Sequence, residues 1–298
     1  MYTNVPPSLR VHLTKAVLFD LRSAQVMRDG FRMWLGGESG SGKSNCAMLI
    51  LSQIVEGAGQ VIVLDVAGEY ERLWELDPAN VVRIGYGNEP VNETSVQWCL
   101  DIVRSGKSLL VDLSHWAILP QKLDRFALEF VRELYDERRK RPKLTYVVVE
   151  EAANLIPQAQ QQGQAENIAI FLKVVTEGRK YGLNFILAAQ QQSLVDVRAI
   201  KGCNVRVFMR ISDFRDWKQI RPYVPSRLGI SFGAEATSKR DISKFKSGEA
   251  IIVSRWTGDL RVRLSMPPIS PREPLMEAET GADASYNQQL DREVGWGT

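Results

Sequence analysis

Residues 37–44 read GESGSGKS, a complete G-x-x-x-x-G-K-S, and no other stretch constrains the fold as strongly. A mostly apolar run with two aromatics precedes it and an amphipathic stretch follows, so the motif sits between a strand and a helix, as it must to count. Its glycines let successive backbone N–H groups converge on phosphate oxygens, and the helix N-terminus adds its positive end. Gly37, Glu38, Ser39, Gly40, Ser41, Gly42, Lys43 and Ser44 are therefore the candidate nucleotide-binding residues. Lys43 would reach the β- and γ-phosphates of ATP, and the Ser44 hydroxyl would ligate Mg²⁺.

Around this loop, short apolar runs alternate with longer amphipathic stretches, the pattern of a mostly parallel sheet with helices on both faces. Strands are expected at Phe31–Leu35, Val61–Leu64, Ser108–Leu113, Tyr146–Glu150, Phe185–Ala189 and Asn204–Arg210. Helices are expected at Lys43–Val55, Lys122–Arg139, Ala165–Lys180 and Asp213–Tyr223. Runs such as VIVL and YVVV suit strands buried on both faces. Ala250–Ser254 and Leu260–Leu264, split by five residues that include Gly258, read as a C-terminal β-hairpin. The expected fold class is thus α/β, a RecA-like P-loop domain over 31–266. An N-terminal arm (1–30) precedes it and an acidic, disordered tail (267–298) follows.

The chain of 298 residues can hold one large domain. Its net charge of +3 is unevenly spread: from Pro267 on there are six acids against two arginines, so the body is more basic than the whole. That balance tolerates a polyanionic partner without requiring one. Three scattered cysteines and two histidines draw no zinc pattern. No apolar run has membrane-spanning length and no signal peptide leads the chain, so no membrane contact is expected. A soluble, intracellular protein, cellular or virus-encoded, is the expectation.

The second acidic feature is Glu150–Glu151, which closes the run LTYVVVEE. Adjacent residues at a strand end point opposite ways. One carboxylate can face a hydrated Mg²⁺ while the other polarises an attacking water. Glu150 is the candidate at the metal, with Ser44, and Glu151 the candidate base. An LSGGQ-like segment and an NKxD-type segment are both missing, which excludes ABC ATPases and GTPases. A strand at Ser108–Leu113, between the loop and the acidic strand in sequence, fits the class of P-loop enzymes with an additional strand and a catalytic glutamate.

Several segments then resemble one family in order. EEAANLIP resembles the EEAHNFIP-type segment of HerA-like ATPases, within the HerA/FtsK superfamily. LDVAGEYERL resembles their D-x-x-G-E-Y strand end, LLVDLS their third strand, and GRKYGLNFILAAQQQS their G-R-K-x-G segment with its following strand. The resemblance implies that Gln190 is a polar sensor near the γ-phosphate, although Gln191 and Gln192 adjoin it. It implies that Arg179 reaches into a neighbouring subunit's site; the alternative is a cation at a helix C-terminus. Asp65 matches as well, with a turn cap as its simplest role. Ala153 departs from the histidine that the family often carries.

The resemblance further implies a homo-oligomer, a hexameric ring, that hydrolyses ATP with Mg²⁺ and translocates duplex DNA in DNA processing, packaging or transfer. A nuclease or a capsid or portal protein would be a further partner. The competing reading is a nucleotide-gated regulatory or assembly ATPase that moves no DNA. Candidate DNA contacts are the basic run Arg138–Lys143, the Gln-rich loop Gln158–Asn167, and the cluster Lys239, Arg240, Lys244 and Lys246.

Overall fold

A computed structural model describes residues 9–86, 91–92, 94–116, 119–158, 164–233 and 240–271. In chain order the elements are β1 (Arg10–His12), β2 (Leu18–Asp20), α1 (Ala24–Asp29), β3 (Arg32–Gly36), α2 (Lys43–Glu56), β4 (Gln60–Asp65), β5 (Val81–Ile84), α3 (Ser95–Arg104), β6 (Ser108–Asp112) and α4 (Pro120–Lys140). There follow β7 (Thr145–Val149), α5 (Ala152–Leu155), α6 (Gln164–Glu177), β8 (Leu183–Ala189), α7 (Val197–Gly202), β9 (Val205–Phe208), α8 (Phe214–Ile220), β10 (Glu249–Ser254) and β11 (Gly258–Arg263).

Nine strands form one sheet in the order β11-β10-β9-β3-β8-β7-β4-β6-β5. The seven from β9 to β5 are parallel, and β10 alone is reversed, pairing antiparallel with both β9 and β11. Side chains alternate strictly between two apolar layers. Leu64, Val111, Val149 and Leu187 face a layer built with α3, α4 and α6. Met33, Leu35, Val63, Val148 and Ile186 face the other, covered by α2 and the N-terminal segment. Period-2 alternation with both faces apolar makes each central strand a near-continuous hydrophobic run, so these strands were legible.

Residues 9–30 pack onto the sheet. The β1–β2 pair places Leu9, Val11 and Phe19 in the second layer, and Phe19 meets Phe31 edge-on at 5.7 Å. Elements unassigned from sequence, β5 and α3, fill the 66–107 interval. Two corrections concern boundaries, and the sheet adds the order of the strands. The expected helix Ala165–Lys180 stops at Glu177, where a 3₁₀ turn over Gly178–Tyr181 replaces its end. The hairpin connection has three residues rather than five, because Ser254 pairs directly with Gly258. The strand that separates β3 from β7 is β8; β6 lies beyond β4. The proposed tail lies outside the described residues from 272 on.

All three cysteines are free and buried, and burial pushes each thiol up to about 12. A thiol held protonated is a poor nucleophile. Native protein at pH 8 should therefore leave Cys46, Cys99 and Cys203 unlabelled by a disulfide reagent over minutes, with three equivalents reacting in denaturant.

Candidate functional site

Strand register sets the site. Gly36 lies level with Ala189 and Phe208, and Val149 with Leu187 and Leu64. The chain therefore leaves β3, β8, β7, β4 and β9 along one edge of the sheet, the carboxyl edge, where ligands of open α/β sheets bind. The phosphate loop is stitched down there. Glu38 N donates to Arg210 O (2.9 Å), and Gly248 N donates to Ser41 O (3.0 Å). Ser41 Oγ and Lys43 Nζ both donate to Glu38 O, at 2.7 and 3.0 Å. Gly40 (φ 70°) and Gly42 (φ 102°) take left-handed backbone that a side chain would strain. Lys43 and Ser44 open α2, whose N-terminal amides face the loop. Ser39 and Gly40 are exposed, whereas Ser41 is buried and spends its hydroxyl on the loop itself.

The acidic side is built on Asp65. Its fully buried carboxylate accepts from the backbone N–H groups of Ala67, Gly68, Glu69 and Tyr70 (2.7–3.2 Å) and from Tyr86 Oη at 2.6 Å. The turn cap expected of Asp65 is present, and it shapes the whole 65–70 turn. Glu150 is buried beside it, hydrogen-bonded to Asp65, and accepts from Ala67 N at 3.2 Å. Burial, then the Asp65 charge, pushes the Glu150 carboxyl well above the usual carboxylate range, and burial raises Asp65 as well. Glu69 Oε2 is buried with no hydrogen-bond partner, and Glu69 acts electrostatically on Lys43. Asp65→Asn removes a charge that five donors need; about 2–4 kcal/mol of stability should go, read as a lower urea midpoint. An unchanged midpoint would show that the turn holds without it.

Glu151 follows in left-handed backbone (φ 49°, ψ 57°), one of two non-glycine residues with positive φ among those described. Such a conformation costs roughly 1–2 kcal/mol and is often kept where a side chain must be aimed. Burial raises the Glu151 carboxyl, opposed first by the Lys43 charge and then by hydrogen bonds from the Gln190 backbone and side chain. Burial likewise lowers Lys43, opposed by Glu151, Glu150 and Glu69. Lys43, Glu150, Glu151 and Gln190 are thus brought together. Of the three adjacent glutamines, Gln190 meets Glu151, while Gln192 is buried, accepts from Trp34 Nε1 (2.9 Å) and donates to Ala189 O (2.8 Å).

Arg179 is not at this edge. It precedes β8, so the whole strand, seven residues at roughly 3.3 Å each or about 23 Å, separates it from Gln190. There its Nη1 donates to Arg28 O (2.8 Å). Sequence reasoning also missed Arg210, just past β9, whose guanidinium pairs with the Glu38 carboxylate while Ser212 N donates to the other oxygen at 3.1 Å. Only the level alignment of β9 with β3 could have found it.

Of the candidate DNA contacts, Arg138 is corrected. It is buried, donates to Thr145 Oγ1 (2.9 Å) and Gln60 Oε1 (2.6 Å), and burial lowers it to about 10. Arg139 and Lys140 remain exposed. Residues 159–163 of the Gln-rich loop and Lys239 lie outside the described residues. Among those described, no helix is long and apolar enough to cross a membrane.

No curated protein matches the sequence. The fold is similar to VirB4 of Thermoanaerobacter pseudethanolicus (TM-score 0.62, 14% identity, 89% of this chain and 99% of that one). It is similar to the bacterial conjugative coupling protein TrwBdeltaN70 (TM-score 0.59, 11% identity, 92% and 91%). A third is the genome packaging NTPase B204 from Sulfolobus turreted icosahedral virus 2, in complex with sulfate (TM-score 0.53, 14% identity, 81% and 98%). These likenesses establish a RecA-like P-loop NTPase fold. A family model described as "Helicase HerA, central domain" matches residues 35–184, half of the chain. With the phosphate loop, the acidic pair and the GRKYG turn all inside that span, the chain belongs to the family of the HerA helicase central domain.

Proposed function

We propose that this chain is a subunit of an ATP-driven, ring-forming motor that moves duplex DNA. The observation that carries the reading is the split between Arg179 and the loop, at opposite edges of one sheet. A single copy cannot bring them together; adjacent copies, each turning its carboxyl edge to the other's amino edge, can. Family membership supports it, as do the conjugation and packaging proteins that share the fold.

In this reading Lys43 leaves Glu38 O for the phosphates of ATP. Mg²⁺ fits the donor set: the Ser44 hydroxyl and the Glu150 and Glu69 carboxylates are hard oxygens, and Glu69 Oε2 is buried and unpartnered. Among the described residues no three His, Cys, Asp or Glu side chains form a metal cage. Bound to that donor set, the ion would neutralise phosphate charge and favour the ionised form of Glu150. Glu151 polarises the attacking water, with Gln190 holding its carboxylate. Within a hexamer, exposed Arg139 and Lys140 and the 158–167 segment are candidates for the DNA path, with a nuclease or capsid protein as partner.

The test is ATPase rate with and without long duplex DNA, in an oligomer verified by light scattering. Stimulation of several-fold or more, weakening as salt rises because the contacts are to phosphates, is expected. An oligomer whose rate ignores DNA would favour the regulatory or assembly ATPase.

A further inference from the structure

At the amino edge of the sheet, a cavity of about 790 Å³ lies between the starts of β3 and β9, the Arg179 turn and the β10–β11 hairpin. Six cations line it, Arg32, Arg179, Lys201, Arg206, Arg227 and Arg255, against only two carboxylates, Asp29 and Asp259. Asp259 pairs with Arg227, itself one of the six, and Asp29 pairs with Arg28, outside the lining, at 3.4 Å, so cations remain in excess. Among the described residues, Arg32, Arg206 and Arg255 make no ion pair with a carboxylate.

Two of these guanidiniums are fixed by backbone carbonyls. Arg32 donates from Nε to Gly202 O and from Nη1 to Asp29 O, both at 2.9 Å. Arg206 donates to Ile200 O (3.0 Å) and Lys201 O (3.1 Å) and lies over the Tyr223 ring at 4.9 Å. Each guanidinium has five N–H donors, so both keep donors to spare. Burial lowers Arg32 and Arg206, and Arg255 opposes the charge of both, with Arg179 adding to the effect on Arg32. Like charges held together and partly desolvated are costly. Rigid guanidiniums of this kind match phosphate oxygens bidentately.

We propose that this cavity is a second anion site, separate from the phosphate loop of the same chain, that takes the terminal phosphates of an oligophosphate. The volume is that of a small-molecule site, and a duplex would need an extended basic face instead. The site stands whether or not the chain moves DNA. Its ligand has two sources, a free oligophosphate or the nucleotide carried by a second copy.

The experiment is calorimetric titration of the full-length Lys43→Ala chain, which lacks loop binding, with inorganic tripolyphosphate at low salt. One-to-one binding is expected. Arg206→Gln with Arg255→Gln, added to Lys43→Ala, should weaken it about tenfold or more. Arg255 is exposed at the hairpin tip, so Arg255→Gln alone, which spares the fold, should also weaken it. The exposed pair Lys122→Gln with Arg132→Gln, of equal charge loss, should not. Absent binding, equal weakening by the two pairs, or binding of duplex DNA alone would overturn the proposal. A second arm adds chain loaded with a non-hydrolysable ATP analogue. If tripolyphosphate blocks its association with Lys43→Ala chain, the site's ligand comes from a second copy; if association is indifferent, the ligand is free. Either result retains the site.

Discussion

Glu151→Gln should lower ATP hydrolysis by about 10²–10⁴ while nucleotide binding stays within a few-fold of the parent. The substitution keeps side-chain length and the oxygen that Gln190 can reach, and removes only the charge that would take a proton from water. In the proposed reading, binding is set across the carboxyl edge by Lys43 and the loop amides, none of which the substitution touches. The strained backbone at Glu151 is paid whichever of the two residues stands there, so the fold should hold. Phosphate release over a single turnover, alongside fluorescent-nucleotide binding, separates the two effects. Hydrolysis at the parent rate would remove Glu151 from the reaction. Loss of binding in step with hydrolysis would mean that its charge serves to position Lys43 instead.

The contrast with Glu150 sharpens this assignment. From sequence the two glutamates are equivalent: both end one apolar run and differ only in direction. Packing separates them. Glu150 lies level with Asp65, because β7 and β4 pair in register, and burial together with the Asp65 charge raises its carboxyl well above the usual range. Glu151 is turned by its left-handed backbone toward Lys43 and Gln190, on the side of β8. Which carboxylate faces Lys43 and Gln190 is thus set by strand order, with β8 lying between β3 and β7.

The same distinction explains what the sequence could and could not reveal. The doubly buried strands were legible because parallel strands covered on both faces leave unbroken apolar runs, and the loop was legible because its glycines have one use. β1, β2 and β5 span three or four residues and carry Arg10, His12 and Arg83, too short and too polar for a period to register. α3 does carry the helical spacing, in Val96, Cys99, Leu100 and Val103, and was readable. Arg138 sat in a basic run that looked solvated. Only the fold reveals that it alone turns inward to close a polar network with Gln60 and Thr145. Arg210 and the cavity at the amino edge depend on which strands are neighbours, and no local pattern carries that.

Arg179→Ala should cost roughly 10³–10⁵ in ATPase rate, about 4–7 kcal/mol at about 1.36 kcal/mol per decade. Because Arg179 lies about a strand's length from its own loop, the loss must pass through a neighbour. Neither Arg179→Ala nor Lys43→Ala homomers should then turn over appreciably. Mixed assemblies should recover part of the rate, since some interfaces join an intact loop to an intact arginine. If each of n interfaces acts alone, equal mixing leaves about a quarter of them complete. The recovered fraction thus reports how independently they fire: near a quarter for independent sites, far less if the ring needs consecutive sites intact. A mixed assembly, verified by two different affinity tags, that recovers nothing above its parents would place Arg179 outside the reaction. Its bond to Arg28 O would then stand as a fold contact, and the oligomer would have to complete its sites with another residue of the amino edge.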